Sequence, residues 1–218
     1  MEADFWHQRW QTSRIGFHRQ QVNRQLNEYW PQLAVPAKSK VLVPLCGKSN
    51  DMHWLAEQGH EVVGFELSSL AVQDFFSTAL LPAKQETIGP YQCWQAQKIS
   101  LYQGDFFQAH QLNLRFNAAY DRAALIALPH SMRVQYVELL ASLLNPGAVL
   151  LLVTVDYAPD QQQGPPFSVP EHAVKSLFEP YFTIEARNKI SEGPDNPKVA
   201  SGELSYFDEL CFVLVRKA

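Results

Sequence analysis

The chain has 218 residues, the length of one elaborated domain. Hydrophobic residues make up 46% of it and charged residues 18%, which supplies a sizeable core and excludes an intrinsically disordered chain. Asp and Glu number 22 against 18 Lys and Arg, and the resulting net charge of −4 argues against a protein built to neutralise the phosphates of nucleic acid.

In the first 38 residues, apolar and aromatic side chains recur at intervals of three and four, and this spacing predicts one or two helices. The side chains with this spacing are Phe5, Trp6, Trp10, Phe17, Val22, Leu26, Tyr29 and Trp30. Pro31 and Pro36 are expected to end the second helix, since proline lacks the backbone N–H that a helix interior needs.

From Lys40 onward, short apolar segments alternate with helical patterns. The predicted strands are residues 41–45, 61–67, 98–103, 118–122, 148–155, 181–186 and 206–216. The predicted helices are residues 51–58, 68–81, 131–144 and 171–178, and Ser68 or Ser69 can cap the second of them. Residues 82–97, which contain Gly89-Pro90, are expected to form an irregular insertion.

This alternation of strands and helices predicts a doubly wound α/β fold with right-handed crossovers and a mostly parallel sheet. Only a loop separates the last two strands, so the last strand is expected to run antiparallel. The run Ala148–Val155 is apolar throughout, which is typical of a strand buried on both faces. It is the longest apolar stretch of the chain and is far too short to cross a membrane.

The turn after the first strand is where a ligand is expected, because open parallel sheets bind ligands at the carboxyl ends of their strands. Gly47-Lys48-Ser49 resembles part of a phosphate-binding loop, but Leu42 stands where that loop needs its first glycine. A dinucleotide fingerprint is also incomplete, since Gly47 is the only one of its three glycines present. A nucleoside triphosphatase and a nicotinamide-dependent oxidoreductase are therefore both disfavoured.

Acidic residues that follow the next strands suit an adenosine cofactor. Glu66 comes 19 residues after Gly47, where a carboxylate can accept hydrogen bonds from both ribose hydroxyls or can be an ordinary surface group. Asp105 can accept the exocyclic amine of adenine, with Phe106 against the ring, or can cap a helix. A single glycine indicates a cofactor with a ribose and no pyrophosphate, of which S-adenosylmethionine is the common one.

Several blocks of the sequence resemble the thiopurine S-methyltransferases. They are Trp6-x-x-x-Trp10, Gly16-Phe17-His18, residues 41–48 (VLVPLCGK), 57–66 (EQGHEVVGFE), 99–102 (ISLY), 120–125 (YDRAAL) and 164–170 (GPPFSVP). The Pro-Leu-Cys-Gly-Lys and Gly-Pro-Pro-Phe blocks are specific to the family, and the resemblance extends from Phe5 to Val215. It implies S-adenosylmethionine as cofactor and a seven-stranded methyltransferase sheet whose last strand is antiparallel.

The resemblance also implies the residues of the site. The implied cofactor contacts are Trp10, Leu45, Gly47, Glu66, Asp105, Phe106 and Arg122. The implied substrate contacts are Phe17 and Arg122, beneath a helical lid of residues 1–38 on a core of residues 39–218, all within one domain. Animal relatives carry a second substrate-binding arginine before the last strand, and the corresponding segment of this chain offers only Lys198.

Arg122 is the candidate catalytic residue. Methyl transfer from a sulfonium is an in-line displacement, and its main requirement is that nucleophile and methyl group be held together. A thiol or selenol is already partly ionised near neutral pH, so Arg122 would stabilise its anion and no strong general base is needed. The plainer alternative places Asp121 and Arg122 in a strand-end ion pair. Trp10 and Phe17 can form aromatic walls of the site, with Trp10 near the sulfonium. Alternatively, they are ordinary side chains that anchor the helices in the core.

These features predict a cytoplasmic S-methyltransferase for small aromatic or heterocyclic thiols, with no membrane or nucleic-acid partner. Bacterial family members are also linked to methylation of selenium and tellurium species. Cys46, Cys93 and Cys211 are an odd number of widely spaced cysteines outside any CxxC motif, so neither a disulfide framework nor a zinc ribbon is expected. The seven histidines form no HExxH motif and do not pair with a cysteine at ligand spacing, so no metal is expected. No coiled-coil pattern is present, and a monomer is expected. The alternatives are a non-catalytic S-adenosylmethionine-binding protein and the disfavoured oxidoreductase.

Overall fold

A computed structural model describes residues 3–218. The α-helices are α1 (Ala3–Gln11), α2 (Arg24–Tyr29), α3 (Asp51–Glu57), α4 (Ser69–Thr78), α5 (His130–Leu143), α6 (Glu171–Phe178) and α7 (Pro197–Ala200). The strands are β1 (Lys40–Val43), β2 (Glu61–Glu66), β3 (Lys84–Ile88), β4 (Tyr91–Ala96), β5 (Ile99–Gln103), β6 (Phe116–Arg122), β7 (Leu144–Asp156), β8 (Phe182–Ser191) and β9 (Asp208–Arg216). No helix among these residues is long and apolar enough to span a bilayer.

The chain divides into two compact units. The first unit extends to Tyr120 and includes Leu143–Asn145, and the second contains Asp121–Ser142 and Pro146–Ala218. The first unit holds the two N-terminal helices that the apolar spacing predicted, α1 and α2. The organisation of residues 1–218 as one domain with an N-terminal lid stays a prediction.

Parallel strands form the centre of the first unit, in the order β5-β2-β1-β6. Leu42 of β1 lies opposite Val63 of β2, and Val63 lies opposite Ser100 of β5. Leu42 and Phe65 are both 0% exposed, as expected for strands that are covered on both faces. The parallel pairing confirms the α/β class that the alternation of strands and helices predicted.

Residues 82–97 form a β-hairpin, so the irregular insertion predicted for them is wrong. β3 pairs antiparallel with β4, and β4 pairs antiparallel with β5. Gly89-Pro90, which suggested irregular structure, is the two-residue turn of this hairpin, and Gly89 has a φ of +55°. Burial alternates along β4, but β3 is polar and exposed along almost its whole length, so the sequence lacks a strand pattern there.

The second unit contains a further set of antiparallel strands. β9 pairs antiparallel with both β7 and β8, which confirms the direction predicted for the last strand. Leu152 of β7 lies opposite Phe212 of β9, and both side chains are buried. β8 continues to Ser191, beyond the predicted end at Ala186, because ladder hydrogen bonds to β9 hold its second half. That half is mostly exposed and polar, so its sequence shows no apolar strand pattern.

Candidate cofactor site

The turn after β1 brings two left-handed residues together. Leu45 has a φ of +45° and Gly47 a φ of +54°. A Cβ atom on Gly47 would lie 3.3 Å from Cζ2 of Trp10, which is a tight contact. Glycine therefore meets both requirements of this position, a left-handed backbone and a close approach of the indole ring. Leu45 remains half-buried beside it.

Glu66 ends β2 and faces this turn. Its Oε2 accepts the backbone N–H of Gly47 at 2.8 Å, and its Oε1 accepts the N–H of Ser68 at 2.7 Å. The residue is 7% exposed, and this burial raises the pKa of Glu66 to about 7 although the backbone N–H groups favour its charged form. The two oxygens together offer about four acceptor sites and these backbone groups, with that of Leu67, use no more than three, so the carboxylate keeps capacity to accept from a ribose hydroxyl.

Aromatic residues of the N-terminal segment lie against the same turn. Trp10 is 5% exposed, and its ring contacts that of Phe17 edge-on with centroids 5.5 Å apart. The ring of Trp6 also contacts that of Phe17 edge-on, with centroids 5.8 Å apart. The Nζ of Lys48 lies 5.9 Å from the centre of the Trp10 ring. Trp10 and Gly47 are thus adjacent, as their predicted roles require, and Phe17 is half-buried beside Trp10.

A buried carboxylate that the sequence analysis did not single out fastens the N-terminal segment. Asp51, the first residue of α3, accepts the backbone N–H of Asn23 at 2.8 Å and the hydroxyl of Tyr120 at 3.0 Å. Asp51 is 2% exposed. An acidic residue at a helix start is common, so only the contacts between distant parts of the chain distinguish this one.

Asp105 and Phe106 follow β5. The Oδ1 of Asp105 accepts the N–H of Phe107 at 3.0 Å, so this side chain caps the short 3₁₀ helix that follows. Asp105 is exposed, and a carboxylate with one such contact retains capacity to accept further hydrogen bonds. Phe106 is 1% exposed, and its ring meets that of Phe65 edge-on at 5.4 Å. The capping alternative is therefore observed for Asp105, and the adenine contacts of both residues stay predictions.

Arg122 lies in the second unit, directly after a buried carboxylate. Asp121 accepts the N–H groups of Ala124 and Leu125, both at 3.2 Å, and the hydroxyl of Tyr136 at 2.7 Å. Burial raises the pKa of Asp121 to about 6, and these three donors oppose the shift. The backbone hydrogen bonds fix the sharp turn after β6 and leave Arg122 half-buried. The role of Arg122 toward a substrate stays a prediction.

The Gly-Pro-Pro-Phe loop is fastened within the second unit. The backbone oxygen of Pro166 accepts the hydroxyl of Tyr157 at 2.6 Å and the amide of Gln162 at 3.0 Å. The N–H of Phe167 donates to the oxygen of Ile126 at 2.7 Å. The ammonium of Lys198, the one cation in the segment where animal relatives carry an arginine, is hydrogen-bonded to Oε1 of Gln162.

Neither a metal site nor a nucleophilic cysteine finds support among the described residues. Residues 3–218 contain no group of three His, Cys, Asp or Glu side chains that could hold a metal ion. Cys46 lies in the β1 turn, but burial raises the pKa of its thiol well above the ordinary value, and Glu66 adds to the shift. A thiol held in its neutral form is a poor nucleophile.

Comparison with known proteins gives one family. Residues 1–217 match the family model of thiopurine S-methyltransferase. The chain is 48% identical to the thiopurine S-methyltransferases of Shewanella sp. (strain MR-4) and Shewanella oneidensis, over 100% of both sequences in each comparison.

Solved structures share the fold at low sequence identity. An S-adenosylmethionine-dependent methyltransferase from Anabaena variabilis is 15% identical with a TM-score of 0.70, covering 99% of this chain and 95% of that one. The N-methyltransferase NodS from Bradyrhizobium japonicum, solved with S-adenosylhomocysteine, is 13% identical with a TM-score of 0.65 and 97% coverage of both chains.

Proposed function

Because the chain belongs to the thiopurine S-methyltransferase family, we propose that its acceptor is the sulfur of a small aromatic or heterocyclic thiol. The chain is an S-adenosylmethionine-dependent S-methyltransferase. The cofactor supplies an electrophilic methyl group on a positively charged sulfur. The observation that supports this site is the pair formed by Gly47 and Glu66, a glycine turn next to a buried carboxylate with unused acceptor capacity.

The first unit supplies the residues proposed to hold the cofactor. Glu66 accepts the two ribose hydroxyls, while Leu45 and Gly47 line the turn. The exposed oxygen of Asp105 accepts the exocyclic amine of adenine, and Phe106 lies beside it. Trp10 presents its ring to the positive sulfur, an attraction worth about 0.5–2 kcal/mol. Glycine at position 47 fits this proposal, since a Cβ there would already press against Trp10.

The substrate side is proposed to consist of Phe17 and Arg122. Phe17 offers a half-buried aromatic surface next to Trp10, which suits a flat thiol. Arg122 stabilises the thiolate, so the acceptor loses its proton to solvent before the displacement and needs no dedicated base. Orientation is the main contribution of such a site, and it is worth up to ~7–11 kcal/mol in well-oriented intramolecular reactions.

The same reasoning extends the proposal to selenium and tellurium acceptors, which are polarisable nucleophiles like thiolates.

We also propose a cytoplasmic monomer without a metal, in which residues 1–38 act as the lid of a single domain. Three buried free thiols, Cys46, Cys93 and Cys211, suit a reducing compartment. The anchoring of Asn23 by Asp51 supports a lid that is tied to the core at its base. Light scattering of the purified protein tests the oligomeric state.

A methyl-labelling screen tests the acceptor class. Purified protein and S-adenosylmethionine labelled in the methyl group are incubated with 6-mercaptopurine, thiophenol, selenite and tellurite, and with phenol as the oxygen analogue of thiophenol. We expect label on the thiols and none on phenol. Calorimetric uptake of the cofactor without transfer to any of these acceptors would contradict the proposal and favour a non-catalytic binding protein.

A further inference from the structure

Lys48 joins the aromatic cluster of the N-terminal segment to helix α4. Its ammonium lies 5.9 Å from the centre of the Trp10 ring and 3.0 Å from Oδ2 of Asp74. The Lys48 side chain is only 19% exposed, while that of Asp74 is 39% exposed. The ammonium is thus held between an indole ring and a carboxylate, with little water around it.

The Trp10 ring therefore already meets a cation that belongs to the protein. Aromatic rings attract cations through the negative charge of their faces, and the attraction strengthens where water is excluded. Trp10 is 5% exposed, so its ring is such a place. A second positive charge on the same ring would meet the repulsion of the Lys48 ammonium, which solvent and salt screen less in a partly buried site than at the surface.

We propose that Lys48 is a specificity-determining residue that sets how strongly the site prefers the charged methyl donor over the neutral product. This inference rests on the proposed function, in which Trp10 meets the sulfonium. The ammonium of Lys48 lies at the ring as an internal cation. When the donor binds, its positive sulfur competes with that ammonium, which Asp74 holds. S-adenosylhomocysteine lacks the charge on sulfur and does not compete.

Such a residue reduces the preference for the donor and also holds the ring in place. The ammonium links the Trp10 ring, which lies against Gly47, to Asp74. A different role, binding the carboxylate of the cofactor's amino-acid portion, would affect donor and product equally because both carry that group. The ratio of their affinities distinguishes the two roles.

The test is calorimetric titration of the Lys48→Met variant with S-adenosylmethionine and with S-adenosylhomocysteine. We expect the affinity ratio to shift toward the donor by roughly three- to tenfold relative to the unmodified protein. Lys48→Arg keeps a cation on the ring and should retain the original ratio. Lys98→Met, which removes an exposed charge before β5 in the same unit, is the matched control and should also retain it.

A double-mutant cycle ties the shift to the ring. In a Trp10→Leu background, Lys48→Met should change the ratio less, because the competition for the ring is gone and only the direct repulsion between the two positive charges remains. A shift that persists in full without Trp10, or equal losses of donor and product in Lys48→Met, would overturn the role of Lys48. Absence of S-adenosylhomocysteine binding in the unmodified protein would instead contradict the proposed function itself.

Discussion

Glu66 shows how one residue connects burial to ligand binding. It was predicted from its distance to Gly47 and its place after the second strand, both of which can be read from the sequence. Its hydrogen bonds to Gly47 and Ser68, and the pKa of about 7 that burial produces, could not be predicted. Those properties depend on which atoms surround the carboxylate, and spacing carries no such information.

The raised pKa of Glu66 predicts opposite effects of pH on stability and on cofactor binding. The folded state holds this proton more tightly than the unfolded state, whose pKa is near the ordinary 4.5, so Glu66 lowers the free energy of unfolding as pH rises from 4.5 to 7. The ionised carboxylate is the better acceptor for ribose hydroxyls. We therefore expect the affinity for S-adenosylhomocysteine, measured by calorimetry, to be roughly tenfold weaker at pH 5.5 than at pH 8.

Two variants check that Glu66 causes this pH dependence. Glu66→Gln should lose it and bind S-adenosylhomocysteine about 10- to 100-fold more weakly at pH 8, because hydrogen bonds to a charged group are lost. Glu61→Gln, at the exposed start of the same strand, should behave as the unmodified protein. An unchanged pH profile in Glu66→Gln would assign the titration to another group.

Arg122 carries the prediction about the acceptor. If its guanidinium stabilises the thiolate, Arg122→Ala should lower kcat/KM for thiophenol by about 10- to 100-fold, and Arg122→Lys should recover part of the loss. Arg115→Ala removes an exposed arginine whose hydrogen bond is to the neighbouring Leu114 oxygen, and it serves as the control. Unchanged kcat/KM in Arg122→Ala would remove Arg122 from the proposed site.

At the scale of elements, Asp51 joins the N-terminal segment, α3 and β6. Asp51→Ala leaves the N–H of Asn23 and the hydroxyl of Tyr120 without this acceptor, so we expect the free energy of unfolding in urea to fall by about 2–4 kcal/mol. Tyr120→Phe removes one of the two hydrogen bonds and should cost about 0.5–1.5 kcal/mol. Glu57→Gln, on the exposed side of α3, should change little.

Trypsin provides a second measurement on Asp51. If the carboxylate fastens the N-terminal segment, cleavage after Arg14 and Arg19 should be faster in Asp51→Ala under conditions where the protein remains folded. Equal cleavage rates in the variant and in the unmodified protein would show that the anchor contributes nothing to holding this segment.

The elements differ in how well the sequence predicted them. β1 and β2 contain apolar runs and β5 carries apolar Ile99 and Leu101 at alternate positions, because these side chains enter the core, so all three strands were predicted. β3 and the second half of β8 are held by ladder hydrogen bonds between backbone atoms and expose polar side chains, so no apolar period marks them. Gly89-Pro90 stood out in the sequence, but it was interpreted as a mark of irregular structure and the strands on either side of it were not predicted.

For the whole molecule, binding of S-adenosylhomocysteine predicts a higher melting temperature. A ligand that binds only the folded state stabilises it by about 2.7 kcal/mol at one hundred times its Kd. For a chain of this size that corresponds to a rise in Tm of roughly 5–10 °C. NAD and NADP at the same concentration should leave Tm unchanged. A larger rise with a nicotinamide cofactor would favour the oxidoreductase that the missing glycines disfavour.

We expect the hairpin to protect the protein from self-association through its strand edge. An edge strand offers unpaired N–H and C=O groups to any other chain that can add to it, and apolar edge strands promote polymerisation. Here the outermost strand of the first unit is β3, whose Lys84, Gln85 and Glu86 are all exposed and include two charges. Removing residues 84–96 would replace this polar border with the edge of β5, which carries the buried Ile99 and Leu101, and we expect the shortened chain to aggregate more readily.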